Sequence, residues 1–227
     1  MRWIINFMTS SLGQKVIMSL TGLFLITFLI VHLLGNISLM FDDEGYAFNT
    51  YAYFMTQNPL IKTVSLGLYF FIALHTIQGL MITFKNRMAR GQGYAVKAKD
   101  NASFSSRNMA LLGTLVLAFL FIHMGDFWLK MKLDMLPIVS YEGYDAPMAD
   151  LYKRVSIAFQ NPLLVVAYVI GQIVLALHLW HGFQSAFQSL GLNHPKYTPL
   201  IKGLGKAYSI LVPAGFALIP IYHFLFK

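Results

Sequence analysis

The stretch Gly22-Leu-Phe-Leu-Ile-Thr-Phe28-Leu-Ile-Val-His32 has a partner 91 residues further on, Gly113-Thr-Leu-Val-Leu-Ala-Phe119-Leu-Phe-Ile-His123. Both read G-x5-F-x3-H inside an apolar run. A second pair of stretches repeats at an offset of 103. Gln57-Asn-Pro-Leu60 recurs as Gln160-Asn-Pro-Leu163, His75 and His178 each lie sixteen residues past the proline, and Gly79 and Gly182 lie four past the histidine. The two offsets differ by 12, which predicts a longer connection in the second half. A repeated pair of helices with one histidine per helix offers four ligands for two metal centres.

Outward from these stretches the chain is too apolar for an ordinary soluble domain. Of its 227 residues 57% are hydrophobic and 11% charged, and its mean hydropathy is +0.60. A bilayer crossing needs roughly 20 apolar residues. Five stretches are long enough: about Val16 to Met40, Leu60 to Phe84, Asn108 to Leu129, Pro162 to Leu190 and Gly205 to Phe226. The first is too long for a cleaved signal and lacks a small-residue cleavage site. The expected organisation is one membrane domain over residues 1–227, with repeat one at about 16–84, repeat two at about 108–190 and a fifth helix at about 205–226.

The net charge of +8 raises the question of nucleic acid, and its distribution answers it. With the N-terminus inside, the inner segments hold Arg2, Lys15, Lys85, Arg87, Arg90, Lys97, Lys99, Arg107, Lys196, Lys202 and Lys206 against Asp100 alone. The outer segments hold Lys62, Lys130, Lys132, Lys153, Arg154 and Lys227 against the remaining acids. That is the positive-inside bias of a multi-pass protein with a cytoplasmic N-terminus and an external C-terminus, as in a bacterial cytoplasmic membrane. No nucleic-acid partner is needed to explain it. The basic segments Lys85 to Arg107 and Lys196 to Lys206 suit attraction to anionic lipid.

Cysteine is absent, which excludes disulfides, cysteine-held iron–sulfur clusters and thioether-linked haem within this chain. Helical rise sorts the histidines by depth. His32 and His123 fall about 25 Å from the inner surface, and His75 and His178 about 24 Å from the outer one. The expected pairs are therefore His32 with His123 at an outer level and His75 with His178 at an inner level, with metals about 10–15 Å apart. Intramembrane histidines are costly without partners, so all four are candidate ligands. Single interhelical hydrogen bonds could explain any one of them, whereas four at two matched levels favour ligation. Two nitrogens per level with no cysteine or carboxylate nearby disfavour zinc. They suit a b-type haem, giving a four-helix haem-binding bundle plus a fifth helix. Gly79 and Gly182 would let the flat macrocycle approach the backbone, and Phe28 and Phe119 would pack near it. His181 is a weaker alternative to His178. His194 and His223 read as surface or interfacial residues.

At these residues the chain resembles the single-polypeptide, five-helix, two-haem cytochrome b membrane subunit of succinate dehydrogenase and fumarate reductase. Ser19-Leu-Thr-Gly22-Leu-Phe-Leu-Ile-Thr-Phe28-Leu-Ile-Val-His32 follows that family's S-x-x-G-L-F-L-x-x-F-x-x-x-H, and His178-Leu-Trp-His-Gly182 follows its H-x-x-x-G. The resemblance covers the first four helices in order and the fifth by count only. It implies two haem b groups ligated by the four matched histidines, with Ser19 touching a propionate of the inner one. It also implies a membrane quinone, menaquinone favoured over ubiquinone, and cytoplasmic partners, namely a flavoprotein subunit holding FAD and an iron–sulfur subunit, with Lys85 to Arg107 and Lys196 to Lys206 as the docking face, a role compatible with lipid attraction. Electrons from succinate would enter at the His75/His178 level and reach quinone, with the His32/His123 haem as a further station. Ala176 departs from members that carry a proton-conducting glutamate two residues before the helix IV ligand.

Quinone chemistry needs hydrogen-bonding groups near a surface, and Asn36, Ser38, Asp126 and Trp128 are the outer candidates. Met148, Leu151, Tyr152, Val155, Ala158 and Phe159 recur at helical spacing, so an amphipathic helix is expected on the outer surface. The rival readings are a cytochrome b subunit of a hydrogenase, formate dehydrogenase or nitrate reductase, and a transporter relaying protons through its histidines.

Overall fold

A computed structural model describes residues 2–90 and 103–227. Lys97, Lys99 and Asp100, part of the expected basic docking face, lie outside the described residues. The helices are α1 (Arg2–Thr9), α2 (Ser11–Ile37), α3 (Tyr46–Gln57), α4 (Pro59–Arg90), α5 (Phe104–Arg107), α6 (Met109–His123), α7 (Lys130–Lys132), α8 (Leu151–Phe159), α9 (Pro162–Ser189) and α10 (Thr198–Phe226). A two-residue hairpin, β1 (Ile138–Val139) with β2 (Met148–Ala149), precedes α8. Five spans are long and apolar enough to cross a membrane: α2 with its continuation to Met40, α4, α6 through α7, α9 and α10. The protein is an all-α, multi-pass membrane protein. Its flanks are accordingly apolar, with Leu60, Phe121 and Leu163 each more than 70% exposed. Below, "inner" denotes the end of the bundle carrying the N-terminus.

The repeated Gln-Asn-Pro-Leu motif starts two of these spans. Asn58 Oδ1 accepts the Leu60 amide at 2.9 Å, and Asn161 Oδ1 accepts the Leu163 amide at 3.0 Å. In each case the following proline occupies the first helical turn, where its missing N–H costs nothing. The ends of the first-half and second-half helices then diverge. α2 tightens into a 3-10 turn at Ser38–Met40, whereas α6 widens into a π turn at Met124–Leu129.

α10 begins seven residues earlier than the expected 205, because Thr198-Pro199 supplies a helix start ahead of the apolar run. Pro213 and Pro220 lie within it, as membrane helices tolerate. It packs closely on α9 and α2. A Cβ on Gly205 would fall 2.7 Å from the Phe183 ring, and one on Gly215 would fall 2.9 Å from Leu33. The Tyr208 hydroxyl donates to the Ile26 carbonyl at 2.6 Å.

The amphipathic helix expected near the outer surface is α8, capped by Asp150 Oδ1 on the Lys153 amide at 2.9 Å, while Met148 belongs to the hairpin. α3 was not expected from the sequence. Together α3, the hairpin and α8 form an outer lid centred on Asn49, which is 1% exposed. Its Nδ2 donates to Tyr141 Oη and to Asp150 Oδ1, both at 3.0 Å, and its Oδ1 accepts the Tyr152 amide at 2.9 Å. Beneath the lid lies the main buried cluster, Leu39, Phe48, Val155, Phe159, Val165, Tyr168 and Ile219.

His223 closes the same region and corrects the expectation of a surface role. It is fully buried, with Nε2 3.1 Å from the Leu39 carbonyl and Nδ1 3.2 Å from Ser156 Oγ. A donor on Nε2 and an acceptor on Nδ1 satisfy both contacts with a neutral ring. The helix-level reading missed this because His223 serves the carbonyl of Leu39 in the 3-10 turn and Ser156 of α8, which no repeat reveals.

Candidate histidine pair sites

The four repeated histidines meet as two facing pairs. The ring centres of His32 and His123 are 5.7 Å apart, and those of His75 and His178 are 6.4 Å apart. Two imidazoles on opposite sides of one metal, with metal–nitrogen bonds of about 2.0–2.1 Å, bring ring centres to roughly 6.3 Å. The observed separations bracket that spacing. Among the described residues no group of three or more His, Cys, Asp or Glu gathers to hold a metal by protein side chains alone. All four rings are half-buried although they sit within membrane spans.

The inner level is built from residues related by the repeat. A Cβ on Gly22 would fall 3.4 Å from His75 Cε1, and one on Gly113 would fall 3.6 Å from His178 Cε1. These glycines thus seat the inner imidazoles. That contact fixes the level: His32 and His123 each lie ten residues beyond the seating glycine, about 15 Å further out by helical rise. Gly79 and Gly182 each face a methionine methyl, with Met18 Cε and Met109 Cε at 3.4 Å from the ideal Cβ. Met18 and Met109 are themselves 91 residues apart. Their unbranched, deformable side chains cover the glycine faces on which a flat ligand would lie.

The symmetry fails at one place. Thr21 Oγ1 lies 3.0 Å from His75 Nδ1, whereas His178 Nδ1 is buried with no hydrogen-bond partner. At the position matching Thr21 stands Leu112. Ser19 is 4% exposed and donates to the Lys15 carbonyl at 2.8 Å. Gln78, one turn inward of His75, is 7% exposed and keeps Oε1 unpartnered. His181 is half-buried.

Aromatic rings enclose the outer level. Phe28 stacks on His32 with centres 5.1 Å apart, and Phe119 on His123 at 6.0 Å. Phe216 of α10 lies 5.5 Å from His32. Tyr168 Oη is 3.4 Å from His123 Nδ1, and Asn36 Nδ2 is 3.3 Å from His32 Nδ1. Sequence reasoning missed Tyr168 because its counterpart in the first half is Ser65.

The remaining outer candidates are engaged in structure. Ser38 Oγ donates to the Gly35 carbonyl at 2.7 Å, and Trp128 Nε1 to Tyr69 Oη at 2.7 Å. Asp126, inside the π turn, pairs through Oδ1 with Lys130 at 2.6 Å and with Arg154 of α8. Its Oδ2 is buried and unpartnered. Arg154 Nε also donates to the Asp126 backbone carbonyl at 3.4 Å, so the lid holds the wide turn from outside. His194 stays exposed in the inner turn, its Nδ1 accepting the Lys196 amide at 3.1 Å.

The chain carrying these two imidazole pairs matches no family model, no curated protein and no solved structure.

Proposed function

We propose that the chain is a two-haem cytochrome b membrane subunit of a succinate:quinone oxidoreductase of the succinate dehydrogenase and fumarate reductase kind. The facing of His32 on His123 and of His75 on His178, at two levels about 15 Å apart, carries this reading. The glycine faces at Gly79 and Gly182 support the reading, since a flat group held by these histidines could approach the backbone there. Bound haem b supplies one-electron chemistry, its potential tuned by ligand, burial and second-shell hydrogen bonds.

The chain's own residues do the positioning. His75 and His178 would ligate at the inner level and His32 and His123 at the outer. Gly22 and Gly113 set the inner rings at their depth. Met18 and Met109 line the glycine faces at Gly79 and Gly182. Phe28 and Phe119 hold the outer rings by stacking, and the lid with its buried cluster keeps water from that level. In this reading the N-terminus is cytoplasmic in a bacterial cytoplasmic membrane. An iron–sulfur subunit and an FAD-bearing flavoprotein subunit dock on the inner face and deliver electrons from succinate. A membrane quinone, menaquinone favoured, accepts them. Ser19 is buried three residues inward of Gly22 along α2, about 4.5 Å by helical rise, and would meet a propionate there.

A pyridine haemochrome assay on the purified chain tests the reading. Two b haems per chain are expected. One would reduce a matched level to a structural pair, and none in a folded preparation would overturn the cytochrome and favour a transporter whose histidines relay protons.

A further inference from the structure

We infer that Thr21 is a positioning residue that makes the two inner ligands unequal, by fixing the proton of His75 on Nδ1 while His178 is left without a second-shell partner. The inference rests on the two-haem reading and adds a role for a residue outside the ligand set.

The Thr21 hydroxyl carries one hydrogen. Its closest acceptor is the Ile17 carbonyl at 2.8 Å, one turn back along α2. With that hydrogen committed, Oγ1 meets His75 Nδ1 at 3.0 Å as an acceptor, so Nδ1 must be the protonated nitrogen. Nε2 is then left with its lone pair for a metal. An acceptor on Nδ1–H also raises the basicity of the ligating nitrogen and locks the ring's orientation.

The second half repeats the scaffold and omits this device. Gly113 seats His178 as Gly22 seats His75, with Nδ1 at 3.9 Å and 3.8 Å from the respective ideal Cβ positions. The matching side chain is Leu112, 4% exposed and unable to accept a hydrogen bond. His178 Nδ1 is accordingly buried and alone. The repeat thus contains its own control: equal seats, one hydroxyl.

Thr21→Val keeps the shape and removes the acceptor. In a chain holding two haems it should raise the midpoint potential of the inner haem, because a less basic imidazole favours the ferric state less. It should also change that haem's low-spin ferric EPR signal and loosen inner-haem retention roughly ten- to hundredfold, the range typical of second-shell losses. The outer haem should not move. Thr21→Ser should restore wild-type values. Leu112→Thr should act in the opposite direction, lowering the inner potential by giving His178 an acceptor. If Leu112→Thr does not fold, the Thr21→Val and Thr21→Ser pair still decides. An inner potential and EPR signal untouched by Thr21→Val would overturn the inference and leave the cytochrome reading standing. A wild-type chain without haem would overturn that reading instead. Thr21 is then tested by 15N NMR of labelled histidines in the same chain, where His75 protonated on Nδ1, and no longer so in Thr21→Val, supports its role. Protonation on Nε2 overturns it.

Discussion

The outer and inner histidine pairs come from one repeated scaffold, but they are surrounded differently. Stiff rings hold the outer pair: Phe28 and Phe119 stack on its imidazoles, Tyr168 and Phe216 close the sides, and a folded lid seals the end. Glycines and methionines line the inner pair, and α4, which carries His75, has Gln78 as its only buried residue among those described. Rings with two side-chain torsions give a preorganised wall, whereas methionines yield to what lies on them. Repetition thus sets where the ligands stand, and unrepeated residues set how firmly each level is held.

The largest test of this contrast removes one ligand from each level. His178→Ala and His123→Ala should each cost one of the two proposed haems and leave the other level's spectrum intact, as read from haem per chain. Loss of both haems from either variant would show that the levels are not independent.

The lid comes next. Asn49→Ala removes a buried side chain making three partly buried hydrogen bonds and strands the Tyr152 amide, which should cost about 1–3 kcal/mol. Thermal unfolding measures it, and the outer haem spectrum should shift while the inner does not.

Packing at the outer level can be strained directly. A Cβ at Gly171 would fall 2.5 Å from the Phe119 ring, so Gly171→Ala must displace the ring that stacks on His123, at a cost of about 1–3 kcal/mol. Gly67→Ala, with nothing within 4 Å of its Cβ, is the control and should be neutral or slightly stabilising. Equal effects in the two variants would remove the claim that the outer wall is rigid.

The smallest effect is expected where Lys227 Nζ meets Asp42 Oδ1 at 2.9 Å on the exposed rim of the lid. The lysine's hydrogen bond holds the Asp42 carboxyl below its ordinary value, and the same bond raises Lys227. Any contribution from the carboxylate is present above its usual range and is lost as pH falls through the lowered value. Any contribution from the lysine is present below its usual range and is lost as pH rises through the raised one. Across neutral pH the pair is constant and screened by salt. Asp42→Asn should therefore leave the unfolding midpoint at pH 7 unchanged, and a clear drop would give the rim more weight than the ring wall allows.

The membrane spans and the pairing of the histidines were legible because both follow from spacing: apolar length gives the crossings, and offsets of 91 and 103 give the levels. The match of Met18 with Met109, and its failure at Thr21 and Leu112, was present in the same offset. Neither stood out, since a methionine or leucine in an apolar helix is ordinary. α3, the Asn49 centre and the burial of His223 were not legible. They depend on contacts between segments some 67 to 184 residues apart, such as His223 with Ser156 and with Leu39, where no periodicity carries information.

The opposite endings of the first-half and second-half helices have a geometric consequence. Each residue added to a helix turns everything beyond it through about 100°. A tight turn after His32 and a wide one after His123 therefore act as phase adjusters, like vernier settings on two otherwise matched screws. The ligand-bearing threads stay in step, while the outer tips are dialled to different bearings, one toward the His223 clasp and the other toward Arg154.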